Sequence, residues 1–376
     1  MDRIVIISPA PPYKGGIADS TFNLQKHLSK KYSVNVITFS KLYPKIIFPS
    51  TNQETSSKTT DHNTFRIINS MNPFTWRASA NKIIDIAPQL VLIRYWNPFF
   101  SFCYKIIIKQ IRKKLNNAVI IGICDNILPH ENIILQKYFA RMFISNLDAV
   151  ITMSEKVQQD LDNIMPGTIS SRLYHPVFDI HDKRISKKDA KAKLSINDNL
   201  KVVLFFGFIR KYKGFDTFIN IANLIEKRRS DILFLAAGEL YERTNEYEKF
   251  IGDSKNIIWH NRYIPNDKVH EYFSAADMLL MPYKNITQSG VASLSFSFSC
   301  PVMISNVGTV NEIIDNGVNG IIVDSQLPEV FVEEIINAID SDILENISDN
   351  LKKNPDILGW TDFTDGVLEI YEKSKS

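Results

Sequence analysis

Val202-Val-Leu-Phe-Phe206-Gly207-Phe-Ile-Arg210-Lys211-Tyr212-Lys213-Gly214-Phe215-Asp216 passes from one kind of backbone to another within a short span. Five apolar residues suit a buried strand, a glycine interrupts them, and Phe218, Ile221, Ala222 and Ile225 then recur at helical spacing. A strand, a loop and a helix in that order form one βα unit of a parallel sheet. Similar units lie on both sides. In the first half, strands are expected at Ile4–Ser8, Val34–Phe39, Leu90–Arg94, Val119–Ile123 and Ala149–Thr152, with helices near Ala18–Ser29, Phe99–Leu115 and Asn132–Asn146. In the second half, Ile232–Ala236, Asn256–Trp259, Met278–Met281, Val302–Ser305 and Gly320–Val323 join Val202–Phe206 as strands. The pattern is α/β, with two Rossmann-like, doubly wound domains.

The chain has 376 residues, room for two domains. The stretch Leu173–Ser186 lacks any run long enough for a core element, so the expected division is 1–178 and 179–357. Trp360, Phe363, Val367, Ile370 and Tyr371 share one helical face, and the terminal segment 358–376 is expected to pack back on the first domain. Residues 50–63 are polar and aperiodic, as in a surface loop.

The composition is 44% hydrophobic and 23% charged, with a net charge of +3, which excludes collagenous, disordered and disulfide-scaffold classes. Cys103, Cys124 and Cys300 are far apart and odd in number, as expected of reduced thiols in a cytosolic protein. The N-terminal apolar run is too short for a signal-peptide core. The charge-free stretch 285–311 is long enough to span a bilayer, but Gln288, Gly290, several serines and Pro301 argue against a membrane helix.

The near-zero net charge is a cancellation. Residues 1–178 hold 21 Lys and Arg against 11 Asp and Glu, and residues 179–376 hold 23 against 30. Much of the first excess lies in Lys105, Lys109, Arg112, Lys113 and Lys114, on a segment that also carries Phe99, Phe100 and Phe102. Residues 99–115 thus suit contact with an anionic membrane, or else form a sheet-covering helix with a solvated basic edge. No nucleic-acid motif accompanies the charge.

In doubly wound sheets, ligands sit outside the carboxyl ends of the strands, so the loops there are where chemistry is sought. Gly15-Gly16 follow the first strand and precede a helix, where backbone N–H groups favour an anion; a purely structural turn is the other reading. Neither G-x-G-x-x-G nor the Walker pattern is present. Arg210, Lys211 and Lys213 place three cations in one loop, suited to a diphosphate whose charge grows as a bond to it breaks. Asp125 follows a first-half strand, placed either to assist proton transfer or to cap the next helix. His130 reads as structural. No metal-binding His pair or serine-hydrolase motif occurs.

Pro11-Pro-x-Lys-Gly-Gly-Ile-Ala, Phe206-Gly-Phe-Ile-Arg-Lys-Tyr-Lys-Gly-Phe-Asp and Pro282-Tyr283…Thr287-Gln-Ser-Gly-Val291…Pro301-Val302…Gly308…Asn311-Glu312…Gly320 together resemble bacterial glycosyltransferases of family 4. The resemblance implies a GT-B fold, in which two Rossmann-like domains face each other across a cleft. It also implies retaining transfer of a hexose-type sugar from a UDP- or GDP-sugar, without metal or other cofactor. Surface polysaccharide, capsule or lipopolysaccharide assembly is the implied setting, with a glycan or polyprenyl-diphosphate-linked acceptor; the cytoplasmic location is expected from the cysteines, and contact with the inner face of the membrane is one of the two readings of residues 99–115.

By the same resemblance, Gly15 and Gly16 meet donor or acceptor, and Arg210 with Lys213 hold the diphosphate. Arg210 is displaced from the usual place, which here is Phe208. Arg262, Tyr263 and Ile264 receive the nucleobase, and Asp125 stands where a histidine is common. Two family glutamates are replaced by Thr287 and Ser295. Gln288, Ser289, Gly290 and Val291 then serve as the sugar and phosphate cradle, with Thr287 beside the sugar and Ser295 toward the ribose. The missing carboxylates leave a second reading, a catalytically silent nucleotide-sugar-binding or scaffold protein.

Overall fold

The computed structural model describes residues 1–43, 63–128, 135–176, 184–241, 246–252, 254–285, 290–354 and 359–375. His130, Thr287, Gln288 and Ser289, and all of the 50–63 loop but Asn63, lie outside them. The chain forms two compact units, one of residues 1–176 with 358–376 and one of residues 177–357.

The first unit holds a seven-stranded sheet of β1 (Arg3–Ile7), β2 (Ser33–Lys41), β3 (Thr64–Asn69), β4 (Leu90–Tyr95), β5 (Val119–Cys124), β6 (Ala149–Thr152) and β7 (Ser170–Arg172). Its order is β3-β2-β1-β4-β5-β6-β7, and every pairing is parallel. Beside it lie α1 (Gly16–Leu28), α2 (Pro73–Ile86), α3 (Ser101–Arg112), α4 (Gln136–Ile144) and α5 (Glu155–Ile164). Helix starts follow local chemistry. The Asn72 side chain accepts from the Phe74 N–H at 3.1 Å with Pro73 in the first turn, and Ser154 accepts from Val157 at 3.3 Å. The expected 99–115 helix begins as a short 3-10 turn at Pro98–Phe100 and continues as α3.

Both sheet faces are buried, so the strands read as continuous apolar runs. Side chains of α2, α3, α4 and α5 share one core with Ile7, Val91 and Ile93. On the other face, Leu24 and Leu28 of α1 pack with Ile4, Ile6 and Leu92, and this core is closed by the last helix, α13 (Trp360–Lys373), through Trp360, Phe363, Val367, Ile370 and Tyr371.

The second unit is a six-stranded parallel sheet, ordered β10-β9-β8-β11-β12-β13. Its strands are β8 (Lys201–Phe206), β9 (Ile232–Ala237), β10 (Ile257–His260), β11 (Met278–Met281), β12 (Val302–Ser305) and β13 (Gly320–Val323). Its helices are α6 (Lys187–Lys193), α7 (Phe215–Glu226), α8 (Glu246–Ile251), α9 (Val269–Ala275), α10 (Gly290–Ser297), α11 (Pro328–Asp340) and α12 (Ile343–Lys353). In each sheet the strand order reverses once, beside β1 and beside β8, which marks the point where such sheets bind ligands.

Phe363 is 3% exposed within the core that α13 closes. Phe363→Ala is expected to lower unfolding stability by about 3–5 kcal/mol; chemical denaturation showing a negligible change would mean that α13 contributes little to the first unit.

Candidate functional site

In the second unit, the loops after β8 and β11 meet at the switch point. Gly207 follows β8 with φ +94, and Lys213 ends a 3-10 turn that closes on Gly214 at φ +69. A β-carbon at Gly214 would lie 1.9 Å from the Pro282 carbonyl oxygen, so only glycine lets the loop after β8 press on the loop after β11. The Lys284 N–H donates to the Tyr212 carbonyl at 2.7 Å and ties the same two loops together.

This apposition buries Lys213, which is 8% exposed. A β-carbon at Gly207 would stand 3.1 Å from its Nζ and 3.4 Å from Val291 Cγ2, so these three residues converge on one spot. The ammonium lies 5.9 Å from the Tyr283 ring centroid. Among the described residues its Nζ meets no carboxylate at ion-pair distance. Burial, and secondarily the charge of Arg210, pull its pKa down to about 7. An amine in this state would regain its charge beside an anion.

The guanidinium of Arg210 lies 4.1 Å from the ring centroid of Tyr241. Phe208 touches the same tyrosine at 5.9 Å and Tyr263 at 6.1 Å, so the displaced arginine and the phenylalanine share one aromatic cluster above β8, β9 and β10. Of the expected base-binding loop, Arg262 is exposed, Tyr263 half-buried and Ile264 buried, and the Arg262 N–H is spent on the His260 carbonyl. Gly290 opens α10, with Val291 in its first turn.

Ser295 requires a correction. It is wholly buried inside α10, and its hydroxyl donates to the Cys300 carbonyl at 2.7 Å. It fastens the helix to the turn that follows and does not reach toward a ribose.

In the first unit, Gly15 caps α1 with φ 112, and its carbonyl accepts from Ala18 and Asp19. A β-carbon at Gly16 would meet nothing within 4 Å, so packing does not demand glycine there. Asp125 is neither an open carboxylate nor the cap of α4, whose N-cap is Leu135. Arg94 grips it with two bonds, Nε to Oδ2 at 2.7 Å and Nη2 to Oδ1 at 2.6 Å, and donates a third from Nη1 to Ser20 Oγ at 2.9 Å. The side chains of Arg94 and Asp125 are 2% and 12% exposed. His175 lies beside the pair, and burial, then Arg94, lower its pKa to about 4, so its ring stays neutral. Asp125 thus ties β5 to β4 and α1 beneath the Gly15–Gly16 turn. The sequence signal for this was the lone arginine in Leu90-Val-Leu-Ile-Arg-Tyr95, since a charge inside a buried strand requires a partner.

Asp125→Asn is expected to cost about 3–5 kcal/mol of stability, because it leaves Arg94 buried without its counter-charge. For Lys213 the sign follows from its depressed pKa. From about 7 up to the ordinary 10.5, the unfolded chain holds a proton that the folded chain has released, so stability rises with pH across that window. Denaturation of wild type and Lys213→Met across that range is expected to show the wild type gaining on the variant as pH rises; parallel curves would refute the shift.

Residues 186–354 match the family model described as Glycosyl transferases group 1. The D-inositol 3-phosphate glycosyltransferase of Paenarthrobacter aurescens is 23% identical over 234 residues, 58% of this chain and 53% of that protein. The match spans 53% to 65% of the length of this and two further curated relatives. The sucrose-phosphate synthase of Thermosynechococcus elongatus superposes with a TM-score of 0.77 at 15% identity, covering 99% of each chain. Anabaena HepE in complex with UDP and glucose gives 0.73 at 14% identity, over 98% of this chain and 99% of that one. The family match lies wholly inside the second unit, so that part of the chain is similar to the group 1 glycosyl transferases, and the likeness that runs the length of the chain is one of fold, the GT-B fold.

Proposed function

We propose that this chain is a retaining glycosyltransferase that moves a hexose-type sugar from a UDP- or GDP-sugar to an acceptor hydroxyl. The observation that supports this most directly is the Lys213 ammonium, buried at the switch point of the second sheet beside Gly207 and Val291. A diphosphate is the ligand such a group suits, because the site is dry enough to strengthen each charge contact and supplies positive charge where negative charge develops. That HepE is seen with UDP and glucose is consistent with this donor class.

In the proposed reaction, the bond from the anomeric carbon to the diphosphate oxygen breaks as the acceptor oxygen bonds to the same carbon from the same face. The acceptor proton passes to the departing phosphate oxygen. Lys213 and Arg210 neutralise the charge left on the diphosphate, and Gly290 and Val291 border it from the start of α10. No metal is assigned a part. The aromatic cluster of Phe208, Tyr241 and Tyr263 lies beside the expected base-binding loop and offers ring faces to a base or a sugar. We place the activity in the cytoplasm, in surface polysaccharide, capsule or lipopolysaccharide assembly, on a glycan or polyprenyl-diphosphate acceptor.

Calorimetry with UDP- and GDP-sugars in buffers of differing ionisation heat is expected to show proton uptake on binding above about pH 7, as the anion restores the charge of Lys213. Lys213→Ala is expected to abolish transfer while the melting temperature changes little or rises, since it removes a buried cation. Normal turnover in that variant would sink the assignment. Donor binding by wild type with neither transfer nor slow donor hydrolysis, even with membrane extract added, would favour a silent binding protein.

A further inference from the structure

In the first unit, α2, α3 and α4 each follow a strand of a parallel sheet and therefore run back against it. Their first turns must line up along the carboxyl edge of that sheet. The sequence alone drew attention to 99–115; the fold adds two segments far from it. At the start of α2, Met71 is 58% and Phe74 86% exposed; at the start of α3, Phe102 is 53% exposed; at the start of α4, Leu135 is 62% and Tyr138 61% exposed. α3 packs against α2 on one side and α4 on the other, and Phe102 meets the Trp76 ring edge-on at 5.7 Å. Five large apolar side chains thus project from one edge, over three adjacent helices.

Cations stand next to them. Arg77, Lys105 and Lys137 lie within about one helical turn of Phe74, Phe102 and Tyr138 respectively, and Lys41 ends β2 at the same sheet edge. Across α2, α3 and α4 the one acidic residue is Asp85, near the opposite end of α2. Residues 63–148 carry 11 Lys and Arg against four Asp and Glu, and of the latter Asp125 and Asp148 are paired with Arg94 and Arg112. The basic character stops at α5, which opens with Glu155 and also carries Asp160 and Asp162.

We propose that this edge is a docking surface for an anionic lipid bilayer, with Met71, Phe74, Phe102, Leu135 and Tyr138 entering the headgroup region while Arg77, Lys105 and Lys137 meet lipid phosphates. Separate protruding side chains ringed by cations suit a fluid interface. This moves the contact away from Lys113 and Lys114, which follow the far end of α3; Arg112 there lies about 15 Å along the helix from Phe102. The same edge carries the Gly15–Gly16 turn and the Asp125 strand end, so a docked chain would hold these loops close to the bilayer.

Flotation with vesicles of phosphatidylglycerol mixed with phosphatidylcholine, against phosphatidylcholine alone, tests the surface without reference to any sugar. The wild type is expected to bind the anionic vesicles at low salt and to weaken as salt rises. Phe74→Ser with Tyr138→Ser is expected to lose about tenfold in binding, as is Arg77→Glu with Lys137→Glu, whereas Lys113→Glu with Lys114→Glu should lose far less. All three pairs should keep wild-type melting temperature and wild-type binding of soluble nucleotide sugar, which separates failure here from failure of the proposed activity. Absence of wild-type binding to anionic vesicles would overturn the proposal. So would binding that survives loss of the aromatics but not loss of Lys113 and Lys114, or an equal loss of binding to an acidic protein in place of lipid.

Discussion

In the second unit the close approach of two loops buries one amine, that of Lys213. Lys213 is held under two loops that approach so closely that the α-carbon of Gly214 leaves no room for a side chain against Pro282. The cost of that burial shows in the depressed pKa of the lysine. A buried lysine with no carboxylate partner among the described residues makes the structure less stable than it need be. Positions of this kind are expected at functional sites.

The first unit solves the opposite problem. Arg94 and Asp125 are buried too, but they neutralise one another with two short bonds, and Ser20 takes a third donor. A satisfied pair of this geometry fixes the ends of β4 and β5 and the start of α1 relative to one another. Among the described residues Lys213 has no carboxylate partner, whereas Asp125 is held by Arg94. Residue type alone does not separate the two cases; both are charged residues in or just after a strand.

The carboxyl edge of the first sheet gathers residues from distant parts of the chain. Phe74, Phe102 and Tyr138 are separated by 28 and 36 positions, yet each opens a helix that returns from the same end of adjoining strands. No hydropathy window joins them. In each βαβ unit the helix start is where the chain turns outward, so a protruding apolar residue there need not disturb the core beneath.

Apolar runs such as Val202–Phe206 and Leu90–Tyr95 were legible as strands because both sheet faces are covered. The periodicity of 215–226 and of the terminal helix was equally clear. β3 and β7 were not: edge position leaves Thr64–Asn69 with one fully buried residue, and Ser170-Ser-Arg172 has no apolar residue at all. Local sequence also marked the Arg210–Lys213 loop, since cations and glycines after a strand carry their meaning in order. What tertiary structure alone decided is which polar groups are held by a partner within the described residues. Burial against Tyr283 and Gly207 left Lys213 with no carboxylate partner among the described residues, Arg94 removed Asp125 from the open carboxylates, and the Cys300 carbonyl claimed Ser295. Each outcome depends on a partner many residues away or folded back by a turn, and such distances are set by the fold.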